Sequence, residues 1–159
     1  RAADLDVGVY LNWGDYDKVN WGMLWLSNLV FTVTNSLEIG SSGVVTSFID
    51  GVSAGIDLQT ESLTISTQWV GGSLWKGRMF LVFMQDPIAT NIHHWGFRMK
   101  GNKIDELRNM TSAPVRLQYD ISRLSAPVQE RFGIHYDLDQ DVTLVGIPAY
   151  SHGVVYIFR

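Results

Sequence analysis

The chain has 159 residues, a formal net charge of −4 and no cysteine, a length at which one domain buries roughly 70% of its unfolded surface and needs no covalent staple. The missing cysteine excludes a disulfide framework, a thiolate metal site and a cysteine nucleophile, and fits a reducing compartment. Charge is divided along the chain, with two basic against eight acidic side chains in residues 1–75, nine against five in 76–131 and one against three in 132–159, so there is no single-sign field of the kind that marks nucleic-acid or membrane binding.

No apolar run reaches the roughly 18 residues of a membrane span, and no signal peptide is expected ahead of the domain. The first residue is Arg1 rather than methionine, as expected of a processed or trimmed product. In chain order, VGVYLNW alternates Val7, Val9, Leu11 and Trp13 on one face of an expected strand. WGMLWLSN at 21–28 is a weak helical candidate, and LVFTVT (29–34) and VVTSFI (44–49) are β-rich.

GVSAG at 51–55 has the G-x-S-x-G form in which Ser53 would be a nucleophile. That chemistry needs a strand followed by a helix, and the β-like IDLQTESLTIST that follows makes a glycine-rich loop the expectation. LTISTQW places Leu63, Ile65 and Trp69 on one face. The run Met79 to Met84, RMFLVFM with its preceding arginine, is apolar at six consecutive positions. Successive side chains of a strand point to opposite faces, so Met79, Leu81 and Phe83 are expected to fill one face and Phe80, Val82 and Met84 the other, with cover needed on both.

The adjacent His93 and His94 point to opposite faces of a strand and do not converge on one ion. WGFRMK sets Trp95, Phe97 and Met99 on one side, and GNKIDELRNM is the best helix, of a turn or two. The glycosylation pattern Asn109-Met110-Thr111 overlaps its end and carries little weight without a secretory context. VRLQYDIS and RFGIHYDL alternate cleanly and are half-buried strands; VTLVG (142–146) and VVYIF (154–158) complete about ten. DLDQD at 137–141 lacks the glycine and glutamate of a calcium loop, having Val142 and Pro148 there, and the four glutamates form no pair for glycoside hydrolysis. No catalytic site, cofactor or metal is expected. Trp13, Trp69 and Trp95 lie on apolar faces and read as core; Trp21, Trp25 and Trp75 lie beside glycines or between strands and are candidates for an exposed surface, including a carbohydrate-binding one.

The succession LTISTQWV, WKGRMFLVFMQDP, APVRLQYDI and GVVYIFR, within residues 60–159, resembles the coat proteins of picorna-like plant viruses, in particular the small coat subunit of comoviruses. The resemblance implies an all-β fold, one eight-stranded antiparallel jelly-roll sandwich with extra short strands or turns spanning 1–159. It also implies a structural role in an icosahedral shell around single-stranded RNA, assembled in the host cytoplasm and retained in the virion, with other coat subunits as partners and no membrane. Under it Trp21, Trp25, Trp75, Phe80, Val82 and Met84 are candidates for packing between subunits, and Arg98, Lys100, Lys103 and Arg108 for weak, non-specific contact with RNA or with acidic partner surfaces. VQERFGIHYD is similar to a strand of the capsids of small circular single-stranded-DNA viruses, whose basic arm this chain lacks. A satellite-virus capsid and a lectin-like β-sandwich complete the alternatives.

Overall fold

A computed structural model describes residues 22–88 and 95–148, and the backbone path of 3–7. The expected strand face at Val9 to Trp13, together with Trp21, His93, His94 and the run 154–158, lies outside these residues. Fourteen strands and two short helices are described. The all-β expectation holds, but the pairing does not follow an antiparallel jelly roll.

The strands follow a coil. β2 (Gly22–Ser27), β3 (Val30–Val33) and β4 (Leu37–Ile39) form one turn of chain, and β5 (Val44–Asp50), β6 (Gly55–Leu58) and β7 (Leu63–Ile65) form the next. β5 lies parallel beside β2, β6 beside β3 and β7 beside β4. β10 (Arg78–Phe83) and β11 (Gly96–Lys100) add a third layer, parallel to β5 and β6, and β12 (Leu117–Asp120) lies parallel to β10. Antiparallel strands finish the sheets: β1 (Ala3–Val7) against β2, and β14 (Val142–Gly146) against β11 with β13 (Gly133–Asp137) outside it. Sheet I thus runs β1-β2-β5-β10-β12, sheet II β13-β14-β11-β6-β3, and sheet III pairs β4 with β7.

Parallel registry stacks like positions of successive turns. In sheet I, Leu26, Ile49 and Phe83 stand in one inward row; in sheet II, Phe31, Ile56, Phe97, Val145 and Ile134 do so; in sheet III, Leu37 pairs with Leu63 and Ile39 with Ile65. These rows merge into one core. Burying each such side chain contributes about 1.5–3 kcal/mol, so the rows supply the main driving force for closing the coil. Met79, Leu81 and Phe83 lie in this core as the alternation requires.

The corner between sheets I and II is held by Asn28. Its φ of 50° turns the chain, its amide donates to the Asp50 carbonyl (2.9 Å), and its Oδ1 accepts from the Val52 amide (3.0 Å) of the next turn. Gly51, at φ 136°, lies directly beneath; a Cβ there would collide with Asn28 Oδ1. Higher up, Phe83, Trp95, Phe132 and Tyr119 form an aromatic cluster with three ring-centre separations of 4.9 Å, tying sheet I to sheet II.

Several expected elements differ. WGMLWLSN is a strand, because Leu24 and Leu26 point inward and Met23 and Trp25 outward, a period of two. LTISTQW is two strands, β7 and β8 (Thr67–Val70), since Ser66 turns the chain out of sheet III; Trp69 is therefore 70% exposed and not core. The helix over GNKIDELRNM forms as α1 (Ile104–Thr111), burying Leu107 and Met110. A second helix, α2 (Ala126–Arg131), begins with Pro127 in its first turn, where the missing N–H costs nothing.

Ser47 occupies an inward position between Leu24 and Leu81, 1% exposed, and its hydroxyl has no hydrogen-bond partner. Ser47→Ala is expected to raise stability by about 1 kcal/mol by removing an unpaired buried group, read as a higher urea midpoint. Gly51→Ala should instead lower that midpoint, by about 1–3 kcal/mol of corner strain; an unchanged midpoint would show that the corner yields.

Candidate functional site

The outward face of sheet I is unusually apolar. Trp25, Phe48 and Val82 are ladder neighbours on it, and Phe80 occupies the adjacent row. Trp25 stacks on Phe48 with centroids 4.3 Å apart and planes at 23°, and its Nε1 donates to Asp50 Oδ2 at 2.8 Å. Val82 is only 5% exposed although it stands outside the central core cluster, and Phe80 and Met84 are half-buried. The structure therefore gathers Trp25, Phe80 and Val82 on one face, with Met84 just past the end of the same strand.

Trp75 is separate. It lies on β9 (Ser73–Lys76), which forms with β8 a hairpin whose two-residue turn, Gly71 and Gly72, has φ of 58° and 86°. Two consecutive positive φ values are what a tight hairpin turn requires, and glycine takes them without strain. Trp69 pairs with Leu74 and Trp75 with Gln68, so alternation places the two indoles on opposite faces, 70% and 47% exposed.

The four basic candidates do not form one patch. Arg98 and Lys100 are on the outward face of β11. Lys103 precedes α1 and is engaged by Glu61 (3.4 Å) and Glu106 (3.7 Å), while Arg108 is in the last turn of α1. Arg98 and Lys100 instead border an open groove of about 300 Å³ with Asp57, Gln59, Gln140 and Asp141. Arg98 Nη2 donates to Gln140 Oε1 at 2.7 Å, Gln59 Nε2 to Asp57 Oδ2 at 3.2 Å, and the Tyr136 hydroxyl to Asp141 Oδ1 at 2.6 Å, a bond that raises the phenol's pKa. Asp57 and Gln59 were not singled out by the sequence, and Gln140 only as part of DLDQD. The available signal was a polar residue in outward phase, Asp57 between buried Ile56 and Leu58.

GVSAG is the corner from β5 into β6, strand to strand, so Ser53 has no helix behind it. DLDQD forms the end of β13 and its turn into β14, where Asp137 Oδ1 accepts from the Gln140 amide at 3.1 Å. Among the described residues no group of three or more His, Asp and Glu side chains is arranged to hold a metal ion, and no helix is long and apolar enough to cross a membrane. Comparison with family models, curated proteins and solved structures finds no match to this chain.

His135 stands on β13 with Nε2 3.0 Å from the Arg131 carbonyl, which can only accept, so Nε2 carries the proton. Burial pushes its pKa below 6.5, opposed by that hydrogen bond and reinforced by the charges of Arg108 and Arg131. A lowered folded pKa means that the neutral ring contributes stability above pH 6.5, and this is lost as pH falls through the folded value. The urea midpoint should accordingly drop on acidification below pH 6.5, and His135→Gln should flatten part of that drop; parallel pH profiles of the two proteins would exclude His135 as a contributor.

Proposed function

We propose that this chain is a structural subunit that works by assembly, and that the assembly is a viral coat, as the resemblance of residues 60–159 implies. The observation that carries the reading is the exposure of two large apolar side chains that the core does not use, Trp69 and Trp75 on the β8–β9 hairpin, beside the half-buried Trp25, Phe48 and Phe80 on the outward face of sheet I. Large aromatic side chains held out from a folded chain are the anchors that dominate the energetics of protein contacts, and indoles on both faces of one hairpin let it be gripped from either side. Nothing in this role requires a catalytic step.

The jelly-roll topology attached to that resemblance needs antiparallel central strands. β2, β5, β10 and β12 run parallel, so the coat reading stands on the surfaces and not on that topology. Its RNA contact is correspondingly weak. The basic residues diverge, with Lys103 ion-paired and Arg98 bonded to Gln140, and affinity for a polyanion grows with the number of phosphates neutralised together.

Particles or oligomers are expected by light scattering and electron microscopy of the purified protein. Trp69→Ala/Trp75→Ala should abolish or strongly reduce them while leaving the thermal midpoint within about 0.5 kcal/mol of the parent, as exposed substitutions do. A monomer at every concentration tested would overturn the proposal. In a salt titration with single-stranded RNA, binding by the isolated subunit should be poor at physiological salt and its salt slope shallow; tight binding with a steep slope would point to an arm-bearing kind of capsid.

A further inference from the structure

We infer that the groove on the outward face of sheet II, between Asp57 and Gln59 on one side and Gln140 and Asp141 on the other, is a binding site for a small neutral saccharide. The floor is set by the ladder: Asp57 of β6 is the direct partner of Arg98 on β11, and Lys100 two positions along is the partner of Val142 on β14. The β13–β14 turn then brings Gln140 and Asp141 to the rim.

Three properties select the ligand class. The first is charge balance. Two carboxylates, Asp57 and Asp141, and two cations, Arg98 and Lys100, line the groove, so it offers no net attraction to a phosphate or sulfate group and penalises a ligand carrying a single unpaired charge. The second is the shape of its polar groups. The carboxylates, carboxamides and guanidinium are planar and two-headed, and such groups engage two neighbouring hydroxyls at once, as a sugar presents them. The third is volume: about 300 Å³ is at the small end of ligand pockets and suits one or two sugar rings.

The groups are also held in place before any ligand arrives. Gln59 bonds Asp57, Arg98 bonds Gln140 and Tyr136 bonds Asp141, each bond occupying one oxygen of its acceptor. Side chains already restrained lose less freedom on binding. No lining residue is aromatic, so affinity rests on hydrogen bonds and falls in the millimolar range. This site is distinct from the hairpin tryptophans and does not depend on the assembly proposal.

The test is saturation-transfer NMR on the full chain, which reads monomer and particle alike, with maltose, cellobiose, lactose and chitobiose as neutral probes and 3′-sialyllactose and inorganic sulfate as charged comparators. At least one neutral disaccharide should bind saturably. Asp57→Asn and Lys100→Ala should each weaken it about tenfold, as expected for losing a hydrogen bond to a charged group, while Trp69→Ala/Trp75→Ala leaves it unchanged. Lys100 is exposed, so its variant tests the site even if Asp57→Asn disturbs folding. The inference is overturned if no neutral disaccharide saturates, if the charged comparators bind better, if the groove variants bind as the parent does, or if binding disappears with the hairpin tryptophans.

Discussion

Parallel registry between successive turns of chain is the constraint from which the rest of the structure follows. Strands about 4.8 Å apart place equivalent side chains directly over one another, so an inward position in one turn commits the same position in the next. Leu26 over Ile49 over Phe83, and Val33 over Leu58 over Met99, are the result. A polar group in an inward row is costly unless it is paired: Thr143 donates to the Gly101 carbonyl and accepts from the Lys103 amide at 2.7 Å, whereas Ser47 stands there unpaired. The outward rows carry no such restriction, and there the sequence diversifies: apolar on sheet I, charged and amide-bearing on sheet II.

Much of the inward pattern was legible, because alternation reports which face a side chain takes. Met79, Leu81 and Phe83 were assigned correctly from period alone, as were Phe97 and Met99. Alternation does not report which strand lies alongside. Whether β10 meets β5 in parallel or a later strand in antiparallel fashion depends on contacts between residues more than thirty positions apart, and VVTSFI and RMFLVF have the same period either way. Trp69 failed for a related reason: LTISTQW keeps its phase through Ser66, where the backbone leaves sheet III, so a continuous pattern spans two elements with different surroundings.

The surfaces were legible in part. Alternation already put Phe80, Val82 and Met84 on one face of a strand, yet nothing local indicated that Trp25 joins them, since it comes from an earlier turn of the coil. Arg98 and Lys100 fall together because two residues along a strand return to the same side, whereas Lys103 and Arg108 are carried away by α1. Of the polar groove, Arg98 and Lys100 were legible as candidates and Gln140 and Asp141 as part of DLDQD, but their meeting with Asp57 and Gln59 was not. The groove is made by three strands and a turn whose residues, from Asp57 to Asp141, meet only through the stacking.

The turns of the coil are unequal in length. From Gly22 to its sheet partner Val45 is 23 residues, from Val45 to Met79 is 34, and from Met79 to Leu117 is 38, yet the inward rows stay in register throughout. The additional chain is spent at corners, as the tryptophan hairpin after sheet III and as α1 after sheet II. The scaffold therefore separates two kinds of sequence change: substitutions within a row propagate to the turns above and below, while insertions at a corner are absorbed locally. A coil built this way can acquire, lengthen or exchange its projecting parts without refolding its interior, and foreign loops spliced between Gly71 and Gly72 should be carried outward in the same manner.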